Sequence, residues 1–89
     1  MGLILTTPTI VEEDGFQSKV FLPPREHGPA HVHVSKAGEV AIITLPHATQ
    51  SLMVQSVSKK MRNANVVAAV RLVEAHVDMS WMHWRKYHA

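Results

Sequence analysis

The sequence predicts an α+β domain, a small and mainly antiparallel sheet of four to five strands packed by one or two C-terminal helices. Three observations carry this expectation. The first half of the chain alternates short β-rich runs with turns built on Gly and Pro. The last third carries one unbroken stripe at helical spacing. The chain has 89 residues, 46% of them hydrophobic, which suits a single domain over 1–89 and argues against disorder.

Residues 3 to 11 are β-rich, but Pro8 removes a ladder donor and assigns this strand to a sheet edge or a bend. Glu12-Glu13-Asp14-Gly15 reads as a turn. Residues 16 to 22 alternate Phe16, Ser18, Val20 and Leu22 against Gln17, Lys19 and Phe21, the pattern of a second strand that Pro23-Pro24 ends. Glu26 to Ala30 form a loop around Gly28-Pro29. His31 to Lys36 make the third strand, and the almost wholly apolar run Glu39 to Leu45 a central fourth. A three-residue loop with Gly38 left-handed sets His33 opposite Ala41 and His31 opposite Ile43. A two-residue loop shifts that pairing by one, and the sequence leaves both open. Residues 51 to 57 fit a fifth strand or a loop, with the strand favoured.

Val66, Val70, Val73, Val77, Trp81, Trp84 and His88 form the helical stripe. Asn63 or Asn65 can cap its start. Asp78 can cap a second helix, so the stripe is one long helix or two with a bend near Val77. Arg85 and Lys86 complement the dipole at its end. The expected core comprises Ile10, Phe16, Val20, Val32, Val34, Val40, Ile42, Val70, Val73, Val77 and Trp84.

Several classes of function are excluded or left without support. The chain has no cysteine, so it has neither disulfides, thiolate metal sites nor a thiol nucleophile. No apolar run approaches the roughly 18–20 residues that span a bilayer, so the expectation is a cytoplasmic protein with no membrane partner. A net charge of +2 is too weak to imply nucleic acid. There is no Gly-rich phosphate loop, no serine elbow and no carboxylate pair at catalytic spacing, so an enzyme is not the favoured reading.

The chemistry-bearing stretch is Arg25-Glu26-His27-Gly28-Pro29-Ala30-His31-Val32-His33-Val34. Alternation puts His31 and His33 on one strand face and the valines on the other. His-x-His on a strand can give two imidazoles to a divalent metal such as zinc or nickel. His27 can swing in from the loop, and Glu39 or His88 can complete the set. The same His31 and His33 can instead act as base and acid in metal-independent RNA cleavage, with Arg25, Lys36 or Arg62 stabilising charge. The plain alternative is that both histidines belong to the polar face of an amphipathic strand. Lys59, Lys60 and Arg62 form a short basic patch that can contact phosphate, or simply a solvated helix entrance. Trp81, Trp84 and Tyr87 can stack on bases, although Trp81 and Trp84 lie on the valine stripe and read better as core.

One resemblance spans residues 8 to 88. Pro8-Thr9-Ile10, Gly15-Phe16, Glu26-His27-x-Pro29-Ala30-His31-Val32-His33-Val34, Gly38-Glu39-x-Ala41, His76 and Trp84-x-x-x-His88 occur together. In this order they resemble a family of small bacterial proteins grouped as a domain of unknown function. Its signature is roughly Pro-Thr-Ile, then Asp/Glu-His-x-Pro-Pro-His-x-His, then a C-terminal helix with a tryptophan. The resemblance implies a cytoplasmic bacterial protein in a toxin–antitoxin-like pair, with a small protein partner encoded nearby and RNA as a further partner. It implies no established cofactor. The motif positions are His27, Pro29, His31, His33, Trp84 and His88. Ala30 departs from the second proline and Glu26 from the commoner aspartate; Trp81 stands where an aliphatic residue is usual.

Overall fold

The computed structural model describes residues 9–21 and 29–88. It is an α+β fold with five strands followed by two helices. The strands are β1 (Thr9–Glu13), β2 (Phe16–Lys19), β3 (His31–Lys36), β4 (Glu39–Thr44) and β5 (Met53–Val57). The helices are α1 (Asn63–Ala75) and α2 (Val77–His88). The sheet is a meander in the order β1-β2-β3-β4-β5, with each neighbouring pair antiparallel. The expected strand residues 3 to 8, the expected strand end Leu22 and residues 23 to 28, His27 and Arg25 among them, lie outside the described residues.

Two tight turns set the register. Glu13 pairs with Phe16 around Asp14-Gly15, so Glu12 and Glu13 belong to the strand and not to the turn. Lys36 pairs with Glu39 around Ala37-Gly38. In both turns the two central residues have positive φ: 51° and 82° at Asp14 and Gly15, 51° and 81° at Ala37 and Gly38. That is the two-residue hairpin geometry whose twist matches the strands. Of the two registers open at the β3–β4 hairpin, the structure therefore takes the shorter loop. His33 pairs with Ile42 and His31 with Thr44.

This choice decides the core. Val34 pairs with Ala41 and Val32 with Ile43, so these four side chains share one face. They are buried with Phe16, Val20, Leu45 and, from the helices, Ala69, Leu72 and Val73. Val40 and Ile42, expected in the core, fall on the opposite face and stay half-buried; Ala41, Ile43 and Leu45 take their place. A one-residue shift in pairing exchanges the two faces of a strand. The longer loop would keep Ala37 out of the left-handed region, where an L-residue loses roughly 1–2 kcal/mol. It would also exchange Leu45, 1% exposed, for Thr44 as the core-facing residue at the strand end. Burying one leucine side chain is worth about 1.5–3 kcal/mol, which outweighs the turn strain.

The helical stripe breaks at His76, so there are two helices. The His76 N–H bonds Val73 O at 3.0 Å, and both the N–H and the hydroxyl of Ser80 bond His76 O. Burial centres on Ala69, Leu72 and Val73 in α1 and on Ser80 in α2, while Val66, Val70, Val77, Trp81 and Trp84 are half-buried. The α1 cap is Arg62, not Asn63 or Asn65, and no side chain bonds it. Asp78 lies in the first turn of α2, where a carboxylate complements the dipole.

Two substitutions test these assignments by thermal or denaturant melts. Ala37→Asn removes strain at a left-handed position and is expected to raise stability by about 0.5–1 kcal/mol. Ser18 is 1% exposed on the core face and its hydroxyl has no hydrogen-bond partner among the described residues. Ser18→Ala removes an unpaired buried donor and is expected to stabilise by about 1 kcal/mol; a loss of stability would show that the hydroxyl is bonded.

Candidate functional site

Phe21 after β2 and the start of β3 lie beside the C-terminal end of α2, and the rings of five residues meet there. Phe21 and His33 have ring centroids 3.9 Å apart. His33 and His31 are 5.4 Å apart. His31 and Trp84 follow at 5.2 Å. Trp84 and His88 stack with centroids 3.8 Å apart and planes 6° from parallel. The His88 Nε2–H donates to Phe21 O at 2.7 Å and closes the circuit. This link joins residues 67 apart in sequence.

Each position has a local cause. Strand alternation gives His31 and His33 the face opposite Val32 and Val34. Trp84 and His88 are one helical turn apart in α2, the spacing that lets two side chains stack. His31 is 6% exposed, and its Nδ1 lies 2.9 Å from Pro29 O. A carbonyl only accepts, so His31 Nδ1 carries a proton and donates it to Pro29 O. The expectation offered two alternatives, a helix over the valine face or over the histidine face. The structure combines them: α1 covers the valines, while Trp84 at the end of α2 reaches His31.

Beside the circuit, Trp81 donates its indole N–H to Pro46 O at 2.9 Å. The Arg85 guanidinium lies 5.0 Å from its ring centre, and the His47 ring lies 5.6 Å away on another side. Trp81 and Trp84 line an open groove with Pro29, Ala30, Thr44, Leu45, His47 and Gln50. Trp81 is thus an anchor for the end of β4 as well as a packing residue. Its use of Pro46 O was not readable from spacing, because the two lie 35 residues apart.

The remaining candidates stand elsewhere. Glu39 pairs with Lys36 at the turn end of the β3–β4 hairpin, whereas His31 pairs with Thr44 at the other end. About five residues of strand, roughly 17 Å at 3.4 Å each, separate them. Lys36 has its ammonium 4.4 Å above the Phe16 ring, so it also lies away from His31. Lys59, Lys60 and Arg62 are exposed in the connection that follows Ser58, whose N–H bonds Val40 O near the same turn end. The structure therefore brings His31, His33 and His88 together and separates Glu39, Lys59, Lys60 and Arg62 from them. His27 lies outside the described residues. Among the described residues no three His, Asp or Glu side chains form a group able to hold a metal ion.

Compared with family models, with characterised proteins and with solved structures, the chain matches none of them.

The ring circuit acts as a latch between α2 and the sheet, and its strength is measurable. His88→Ala removes both the stack on Trp84 and the bond to Phe21 O. It is expected to cost about 1–2 kcal/mol in a denaturant melt, with His88→Gln recovering part by restoring a donor. Equal stability of all three proteins would show that the latch carries nothing.

Proposed function

We propose that this chain is a non-enzymatic binding protein, one component of a bacterial toxin–antitoxin-like module that works in the cytoplasm through a small protein partner encoded nearby. The observation that carries this reading is β5. It is the last strand of the sheet, and all five of its residues are exposed. An edge strand presents alternate N–H and C=O groups with no partner in the sheet, a template for a strand from another chain. Soluble proteins commonly guard such edges with lysine, proline or inward charge. No charged residue occurs between His47 and Lys59. Met53 is 48% exposed, and Val54 and Val57 are 36% and 38% exposed although α1 runs close by.

The faces of β5 define what fits. Val54 pairs with Ile43 and Val57 with Ala41, so both valines share the helix-bearing face. Met53 and Ser56, opposite Thr44 and Ile42, take the other face. A partner strand with apolar residues toward the helices, and an irregularity that matches the extra residue Gln55, would continue the core by one strand. Lys59, Lys60 and Arg62 follow directly and supply cations that suit phosphate, which leaves RNA as a second component of the complex. The dispersal of Glu39 and the cations away from His31 weighs against a catalytic reading. No helix among the described residues is long and apolar enough to cross a membrane, which fits a partner met in water.

Co-expression with the neighbouring protein, followed by tagged capture, tests the proposal. The wild-type chain is expected to retain its neighbour in stoichiometric amount. Val54→Lys, which sets a charge into the apolar strip, is expected to lose it while keeping its far-UV circular dichroism. Failure of the wild-type chain to retain the neighbour removes the reading.

A further inference from the structure

The same edge is suited to a second copy of this chain. We infer that β5 pairs antiparallel with β5 of another molecule across a two-fold axis, joining two five-stranded sheets into one continuous sheet and covering the edge until a partner takes it. This rests on the reading of β5 as a docking edge.

The pattern of the strand is the first ground. Val54-Gln55-Ser56-Val57 is palindromic in character, apolar-polar-polar-apolar. A two-fold axis between Gln55 and Ser56 places Val54 opposite Val57 of the second copy, twice, and Gln55 opposite Ser56, twice. The valine pairs then fall on the helix-bearing face of both molecules, where each chain leaves them over a third exposed. The amide and hydroxyl pairs fall between them and can hydrogen-bond across the strands.

The irregularity of β5 is the second ground. Ile42 pairs with Ser56 but Ile43 with Val54, so Gln55 is an extra residue outside the regular ladder. Such a bulge hinders pairing with a regular strand, and edges use it for that purpose. A second copy carries the same extra residue in the opposite direction. Its bulge meets this one at the axis, and the valines on both sides stay in register. A regular strand can match Val54 or Val57 in this way, but not both.

Charge is the third ground. A two-fold interface sets every charge near its own copy, and like charges directly opposite are destabilising. The other edge of the sheet, β1, carries Glu12 and Glu13, both exposed. Self-pairing there would crowd carboxylates. The run from Ala48 to Ser58 has no charge to repel.

Sedimentation equilibrium of the purified chain, over a range of micromolar concentrations, reads the proposal directly. The expected result is a particle of twice the chain mass that dissociates on dilution. Gln55→Lys with Ser56→Lys sets lysine opposite lysine twice and is expected to weaken association by about tenfold or more. Gln55→Glu with Ser56→Lys sets glutamate opposite lysine twice and is expected to restore it. A monomer at every concentration overturns the inference, as does a dimer equally tight in all three proteins. Amide exchange of the wild-type chain gives a readout that needs no variant. Protection of the β5 amides rises with protein concentration if the strand is the interface; unchanged protection overturns the inference. Failure here is separable from failure of the module reading. A monomer that still retains its neighbour removes self-pairing alone, and a β5 dimer that retains nothing removes the module alone.

Discussion

The length of the turn between β3 and β4 is the constraint on which the rest of this structure depends. With two residues in the loop, Val32 and Val34 stand beside Ile43 and Ala41, and one face of the sheet becomes apolar from β2 to β4. Ala69, Leu72 and Val73 then have a surface to cover, and α1 docks there. The left-handed conformation of Ala37 is the local cost of this arrangement. It persists with Ala41, Ile43 and Leu45 buried on the core face. Side-chain burial of about 1.5–3 kcal/mol per residue exceeds one strained alanine at roughly 1–2 kcal/mol.

The same register fixes the histidines. Once the valines of β3 face the helices, His31 and His33 must face away, toward Phe21 and the end of α2. There His88 and Trp84 hold the last turns of α2 to the chain leaving β2. A residue near the end of the chain is thereby tied to the middle of the sheet. Glu39 and Lys36 sit at the other end of the hairpin, while Lys19 of β2 pairs with His33. A length of strand separates Glu39 from His31. Among the described residues the imidazoles of His31, His33 and His88 pack with the rings of Phe21 and Trp84.

Among the described residues one edge is left open. Helix α1 runs beside β4 and β5 and α2 beside β1; β1 carries two exposed carboxylates, while the outer edge of β5 has no strand beside it among the described residues and no charge. A short chain has little surface to spare for unpaired backbone, because its stability margin is thin. An open, uncharged strand is then a feature to be explained by what binds it. Capture of a partner and pairing with a second copy are two uses of one chemistry, the completion of a ladder.

Much of this was legible in the residues. Period-two alternation and turn glycines marked all five strands, although residues 53–57 stood between strand and loop because their pattern is brief and uncharged. Four-and-three spacing marked the helices, and Glu12-Glu13-Asp14-Gly15 marked a turn that the structure narrows to Asp14-Gly15. The core positions Ile10, Phe16, Val20, Val32, Val34 and Val73 follow from periodicity alone. The face of β4 did not, because Val40 and Ile42 are as apolar as Ala41 and Ile43, and only the turn length chooses between them. Nor did the break at His76, where the stripe runs on without a Gly or Pro. The sequence by itself determined which residues would form strands and helices, since those periods are local properties of the chain. Tertiary structure decided which faces meet, which histidines share a space and which edge stays open. Those depend on one turn conformation and on contacts between residues far apart, whose energies no local pattern contains.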